Sequence, residues 1–308
     1  MARQVIDTTT DHGTYKGDAA KVAFEKTNAN FAELYAATGG LTAMGGRNML
    51  INCGIPINQR GFAGGALAAG VYGYDRWKAG TGGCNVTINA TTGVFTHTSG
   101  PLQQIVEAPP LAWGQPLTIS VENPSGSIAV SVGGATATIT AGSGRRGVTV
   151  TPSGSGNMTV QLTATGVTYS RPQLERGSAA TPFDSRWYAL ELMLCQRYYE
   201  KSYNDAVKPG TAGAGDGRCT VLVTGLPATA HIWGQSVDFR VSKRANPSIT
   251  TYSHVTGAAG MARDSSVNGD VPTAISAPGQ AGFLWYASAA GSPASVNLEC
   301  HWVADAEL

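Results

Sequence analysis

The side chains of this 308-residue chain best suited to chemistry are aromatic and planar polar. A tyrosine or tryptophan face stacks on the apolar side of a pyranose ring, while arginine, asparagine or a carboxylate fixes its hydroxyls. One such set is Tyr72, Tyr74 and Trp77 in "YGYDRW", beside Asp75 and Arg76, with Trp113 further on. As a strand, the hexapeptide would put Tyr72, Tyr74 and Arg76 on one face and Asp75 and Trp77 on the other. A second set comprises His231 and Trp233 in "PATAHIWGQS", Tyr252, His254 and Arg263 in "YSHVTGAAGMARDSSVNGD", and Trp285 in "GFLWYAS". The first two of these segments are the candidate contact loops, because a rigid β scaffold displays its binding groups on loops. Each residue also has a structural role open to it. Trp77 suits the space between two sheets, one of the pairs Phe283/Trp285 and Leu284/Tyr286 suits a core, and His231 and His254 suit exposed turns.

Catalysis has less to draw on. A glycosidase needs two carboxylates across the scissile bond, and although Asp75 and Glu107 can be imagined as a pair, no motif places them together. A G-x-S-x-G elbow is missing, and "GSGRRG" and "PSGSGN" read as hairpin turns with no helix behind them to cradle a phosphate. The five cysteines are far apart without C-x-x-C or C-x-x-H spacing, and no H-x-H occurs. The expectation is a non-enzymatic protein with no metal, no cofactor and reduced, mostly buried thiols. A net charge of +1 with scattered basic residues gives no field for nucleic acid. No apolar stretch approaches the ~20 residues of a membrane span, and "MARQVIDTTTDHG" has no apolar signal core, so synthesis in the cytoplasm and no membrane insertion are expected.

The elements that must hold these residues are mainly β. Forty glycines, 13% charged residues and strands dense in Val, Thr and Ile predict many tight turns. From Arg47 to about Tyr169, segments such as "VTINATTGVFTHTS" and "LTISVENPSGSIAVSV" alternate with period two and break every eight to twelve residues, as in a β-sandwich or jelly roll. After Gly217 a second alternating region forms a small β domain. Two helices interrupt this pattern. Asp18 to Ala37 carries a stripe of Ala20, Phe24, Thr27, Phe31 and Leu34 at spacings of four and three, with Asp18 as cap. "TPFDSRWYALELMLCQRYYEKSY" (Thr181 to Tyr203), capped by Asp184 or Ser185, places Trp187, Leu190, Leu194 and Tyr198 on one side and is apolar nearly all round, so it should be buried on several sides. The implied organisation is 1–45, an attachment segment with its helix; 46–184, the sandwich; 185–216, a linking helix and linker; and 217–308, the terminal β domain.

Four stretches, "ARQVIDTTTDHGTYKGDAAKVAFEKTNANFAELYA", "GRNMLINCGIPINQRG" with "YGYDRW", "RPQLERGSAATPFDSR" leading into "LCQRYYEKSY", and "VSKRANPSITTYS" to "WVADAEL", resemble bacteriophage tail-fibre and receptor-binding proteins, including those of phage-tail-like bacteriocins. The middle resembles the jelly rolls of carbohydrate-binding modules inserted in such fibres. The resemblance implies a homotrimeric virion tail fibre, fixed through its N-terminus to the baseplate or another tail protein. Its C-terminal domain would face a bacterial surface glycan or outer-membrane receptor. Phe24, Phe31, Leu34, Trp187, Leu190 and Leu194 would then meet around the shared axis. The alternatives are a structural adaptor between baseplate and another fibre, and, less favoured, a surface-glycan depolymerase.

Overall fold

The computed structural model describes residues 6–38, 46–224, 231–234, 236–288 and 295–308. It divides into two compact units, Met1–Arg47 with Thr181–Asp184, and Asn48–Ala180 with Ser185–Leu308.

The first unit contains helix α1 (Ala20–Thr38). Asp18 does not cap it in the expected manner. Its carboxylate accepts the Asp7 N–H at 2.8 Å and the Lys26 ammonium at 2.7 Å, and the Lys26 bond is the main reason its pKa lies below the usual aspartate value. Phe24 is 69% exposed and Phe31 also faces outward, while the side chain of Leu34 lies outside the described residues.

The second unit begins with a β-sandwich. Its strands are β1 (Gly65–Leu67), β2 (Lys78–Ala79), β3 (Cys84–Ile88), β4 (Val94–Ser99), β5 (Pro101–Val106), β6 (Leu117–Glu122), β7 (Ile128–Val132), β8 (Ala135–Ile139), β9 (Arg145–Val150), β10 (Met158–Thr163) and β11 (Val167–Arg176). They form a six-stranded sheet, β1-β3-β4-β11-β6-β9, and a five-stranded sheet, β2-β5-β10-β7-β8, all antiparallel. Neighbours out of chain order, such as β4-β11-β6, are a property of Greek-key sandwiches. Alternation explains the layer: Val86, Ile88 and Phe95 point inward from one sheet and Leu102, Val130, Val160 and Leu162 from the other, while the Thr and Ser between them face out. Full burial of a side chain such as Phe95 contributes roughly 1.5–3 kcal/mol.

The chain continues through α2 (Tyr188–Gln196), β12 (Tyr199–Lys201), β13 (Cys219–Thr224), β14 (His231–Trp233), β15 (Val237–Asp238), β16 (Ser248–Ser253), β17 (Met261–Asp264), β18 (Gly269–Ser276), β19 (Gly282–Ser288) and β20 (Ser295–Asp305). Among the described residues these strands form one nine-stranded sheet in which β20 pairs with β12, β13, β16 and β17. Phe283, Trp285, Leu298, Cys300 and Trp302 build its core.

The second helix is much shorter than its sequence pattern. It starts after Trp187, which caps it with no side-chain hydrogen bond, rather than at Asp184 or Ser185. It ends at Gln196 because Tyr199–Lys201 pairs with Val303–Asp305 of β20, and that ladder replaces further helical turns. Burial is also narrower than expected. Cys195 and Gln196 are buried and Leu194 is half-buried, whereas Trp187, Tyr188, Leu190 and Met193 are exposed. The end of the stretch read as the linking helix therefore contributes a strand to the terminal sheet.

Sandwich and terminal sheet are joined by stacked arginines and buried carboxylates. The Arg60 guanidinium lies 3.7 Å from the centroid of Tyr199 and that of Arg76 lies 3.5 Å from Tyr198. Arg76 pairs with Glu307, and Gln59 donates its amide to Asp75 at 2.9 Å and to the Tyr199 carbonyl at 2.7 Å. Burial pushes the Asp75 carboxyl up to about 6 against the opposing pull of Arg60.

Candidate receptor-contact surfaces

The aromatic set of the sandwich is absorbed by the fold. "YGYDRW" is a turn rather than a strand: Arg76 has φ +68°, and the Trp77 N–H donates to the Tyr74 carbonyl at 3.0 Å. Tyr74, Asp75, Arg76 and Trp77 are all buried as a result. Trp77 stacks edge-on against Phe95 at 5.7 Å and donates its indole N–H to the Asn52 carbonyl at 2.8 Å. Tyr74 and Trp77 are therefore corrected from contact residues to core residues. Tyr72 is half-buried, with its hydroxyl 2.6 Å from the Leu308 main-chain oxygen. Trp113 is half-buried beside Gly133 and Gly154, where a Cβ would come within 2.6 and 2.8 Å of the ring, and its indole N–H reaches the Gly156 carbonyl at 2.9 Å.

In the terminal sheet Trp285 is likewise corrected to core. It is fully buried, and a Cβ at Gly234 would sit 2.2 Å from its ring. His231 and Trp233 belong to β14, opposite Ser288 and Tyr286 of β19, rather than to a loop. Their side chains, and residues 225–230 and 235 around them, lie outside the described residues.

Arg263 and His254 do come together, on the face built by β16, β17, β18 and β20. Glu299 accepts the Arg218 Nε–H at 3.0 Å and the Ser265 hydroxyl at 2.7 Å, and its carboxylate is 3.6 Å from His254 Nε2. Burial works against the Glu299 charge, but the Ser265 and Arg218 bonds outweigh it and hold the pKa below the usual glutamate value. Asp270 accepts the Ser253 hydroxyl at 2.8 Å, the Thr256 hydroxyl, and Arg263 at 3.4 Å; burial is again overcome and its pKa is low. Burial lowers the His254 imidazole further than Glu299 raises it. The cluster is a set of matched charges rather than an acid–base pair. Arg218, Glu299 and Asp270 were not singled out in the sequence because they come from three separate strands or turns. Tyr252 lies one step away, edge-on to Tyr203 at 6.2 Å.

Helix α2 offers a different surface. Trp187 is 86% exposed, Met193 53% and Leu190 43%, a density of bare apolar side chains unusual within nine residues of an otherwise packed unit. Among the described residues, no group of three His, Cys, Asp or Glu could hold a metal ion, and no helix is long and apolar enough to cross a membrane.

No protein-family model and no curated protein matches the chain. Among solved structures it is similar to discoidin II from Dictyostelium discoideum, at 11% identity over 71% of this chain and 82% of that one, with a TM-score of 0.22. It is similar as well to a Paenibacillus cycloisomaltooligosaccharide glucanotransferase complexed with cycloisomaltoheptaose, at 10% identity over 80% of this chain and 46% of that one, also with a TM-score of 0.22. At that score neither likeness bears on what this chain binds.

Proposed function

We propose that this chain is a non-enzymatic tail-fibre adhesin that assembles as a homotrimer, attaches through its N-terminal segment to a phage or phage-like tail, and uses its β regions to hold a bacterial surface glycan. The observation that carries the reading is the bare face of α2. Trp187, Leu190 and Met193 lie in water in a single chain although the neighbouring sheets are well packed. Identical chains around a common axis would cover them, since each copy brings the same patch. Exposed Phe24 on α1 fits the same arrangement near the N-terminus. Support for the tail-fibre class comes from the four sequence stretches quoted above. Multivalency gives the function its physical logic, because three weak sites on one fibre raise avidity by ~10²–10⁴ without any tight single site.

The test is adsorption. Labelled full-length protein mixed with a panel of bacterial strains should bind saturably to some of them and lose binding after periodate oxidation of surface sugars. Binding to no strain counts against an adhesin, and binding that survives periodate counts against a glycan receptor. An adaptor would instead co-purify with a second tail protein and leave cells untouched.

A further inference from the structure

Two adjoining hollows beside α2, of about 440 and about 270 Å³, share Tyr203 and Asn204. The larger is lined by Leu192, Gln196, Asp205 and Arg240, and the smaller includes Asp216. Together they have the volume of a small-ligand site, ~300–1,000 Å³. Their floor is rigid. Tyr203 is 2% exposed, stacks face to face on His301 with centroids 3.8 Å apart, and accepts the Gly210 N–H at 3.1 Å.

The walls are held from behind by buried charges. The Lys201 ammonium, on a residue 1% exposed, donates to the carbonyls of Asp205 at 2.9 Å and Val207 at 2.7 Å. The Lys243 ammonium donates to the Gln196 carbonyl at 2.7 Å, and its ion-pair partner Glu200 accepts the Arg240 N–H at 3.0 Å. Buried lysines are costly unless their donors are met, and here those donors fix the main chain of the groove's own residues. The side chains of Asn204, Asp205, Asp216 and Arg240 remain exposed. Such preorganisation lowers the entropic cost of gripping a ligand.

The lining also defines a ligand class. Asp205 and Asp216 accept hydrogen bonds, Arg240 donates and the Asn204 amide does both, while half-buried Leu192 and the exposed ring of Tyr188 at the rim supply apolar surface over the buried floor of Tyr203 and Gln196. This suits a ring with hydroxyls on its edge and C–H groups on its face. Two carboxylates against one guanidinium disfavour an acidic sugar. At the rim Tyr188, 55% exposed, has its hydroxyl 3.4 Å from an Asp205 carboxylate oxygen.

We infer that this groove binds a neutral or amino-substituted hexose unit of the surface glycan, an inference that rests on the adhesin reading above. The test combines saturation-transfer NMR and calorimetry on the full chain with cell adsorption. The probes are methyl glycosides of glucose, galactose, N-acetylglucosamine and glucosamine, with sialyllactose as the acidic control. At least one neutral or amino sugar should bind, and Asn204→Ala and Asp205→Asn should each weaken it about tenfold or more while leaving the unfolding midpoint in place. If both variants bind the sugar and adsorb to cells like wild type, the groove assignment is overturned and the adhesin reading stands. Cell adsorption without binding of any sugar probe overturns the ligand class, as does a preference for sialyllactose. A chain that binds neither sugars nor cells overturns both.

Discussion

Replacing Lys243 by methionine should be among the most damaging single changes in the second unit. Lys243 and Glu200 are both fully buried, with 2.5 Å between ammonium and carboxylate. The ammonium has three acceptors, Glu200 and the carbonyls of Gln196 at 2.7 Å and Val241 at 2.6 Å, which match its three N–H groups. Lys243→Met leaves the Glu200 carboxylate with the Arg240 N–H at 3.0 Å and without its ion-pair partner, at a fully buried position. Breaking a buried pair on one side costs ~3–5 kcal/mol, whereas replacing both partners with apolar groups is close to neutral. At about 2–4 °C per kcal/mol for a unit of this size, K243M should lower Tm by roughly 6–20 °C. The double variant K243M/E200L should recover most of that loss. Thermal and urea unfolding of wild type, both singles and the double close the cycle. A K243M within about 1 kcal/mol of wild type, or a double variant as unstable as the sum of its singles, would refute the reasoning.

Other consequences are independent of the pair. Burial lowers the Lys201 ammonium to about 8, against ~10.4 for a free lysine, so between these values the unfolded chain binds the extra proton and stability rises with pH. The stability gap between wild type and Lys201→Met should therefore move by about 1–2 kcal/mol in favour of wild type from pH 7 to 10, and an unchanged gap in urea unfolding would contradict this. Gly257→Ala should cost about 1–3 kcal/mol or more, because φ is +75° and the new Cβ would lie 2.1 Å from the Gly210 carbonyl oxygen; a wild-type melting curve would show that the turn can relax. Leu190→Asp with Met193→Asp should leave the melt of an isolated chain almost unchanged, since both side chains are exposed, yet abolish assembly in sedimentation; loss of folding instead would mean they pack within their own chain.

How much of this was legible in the sequence depends on the range of the interaction. In "GFLWYAS" the alternation placed Phe283 and Trp285 on one face, and both are core, because a strand sets its faces locally. The same rule failed in "YGYDRW", where Arg76 takes a left-handed conformation held by Glu307 and Tyr198, residues far away in the chain. The length of α2 was overestimated for a similar reason: Tyr199–Lys201 has helical periodicity but pairs with β20, more than a hundred residues on. The groove beside α2 was hidden altogether, since Gln196, Asp216 and Arg240 meet only after the sheet forms. Its one local trace was "SYND", Ser202 to Asp205, an aromatic followed by two short polar side chains where the helix reading ends and the linker begins.

If identical chains cover the exposed side of α2, as proposed, the purified full-length protein is a trimer, and sedimentation equilibrium measures this directly. The expected result is one species close to three times the 31.7 kDa chain mass, persisting to low micromolar concentration. A single species at 31.7 kDa, stable and soluble with Trp187 in water, would contradict it.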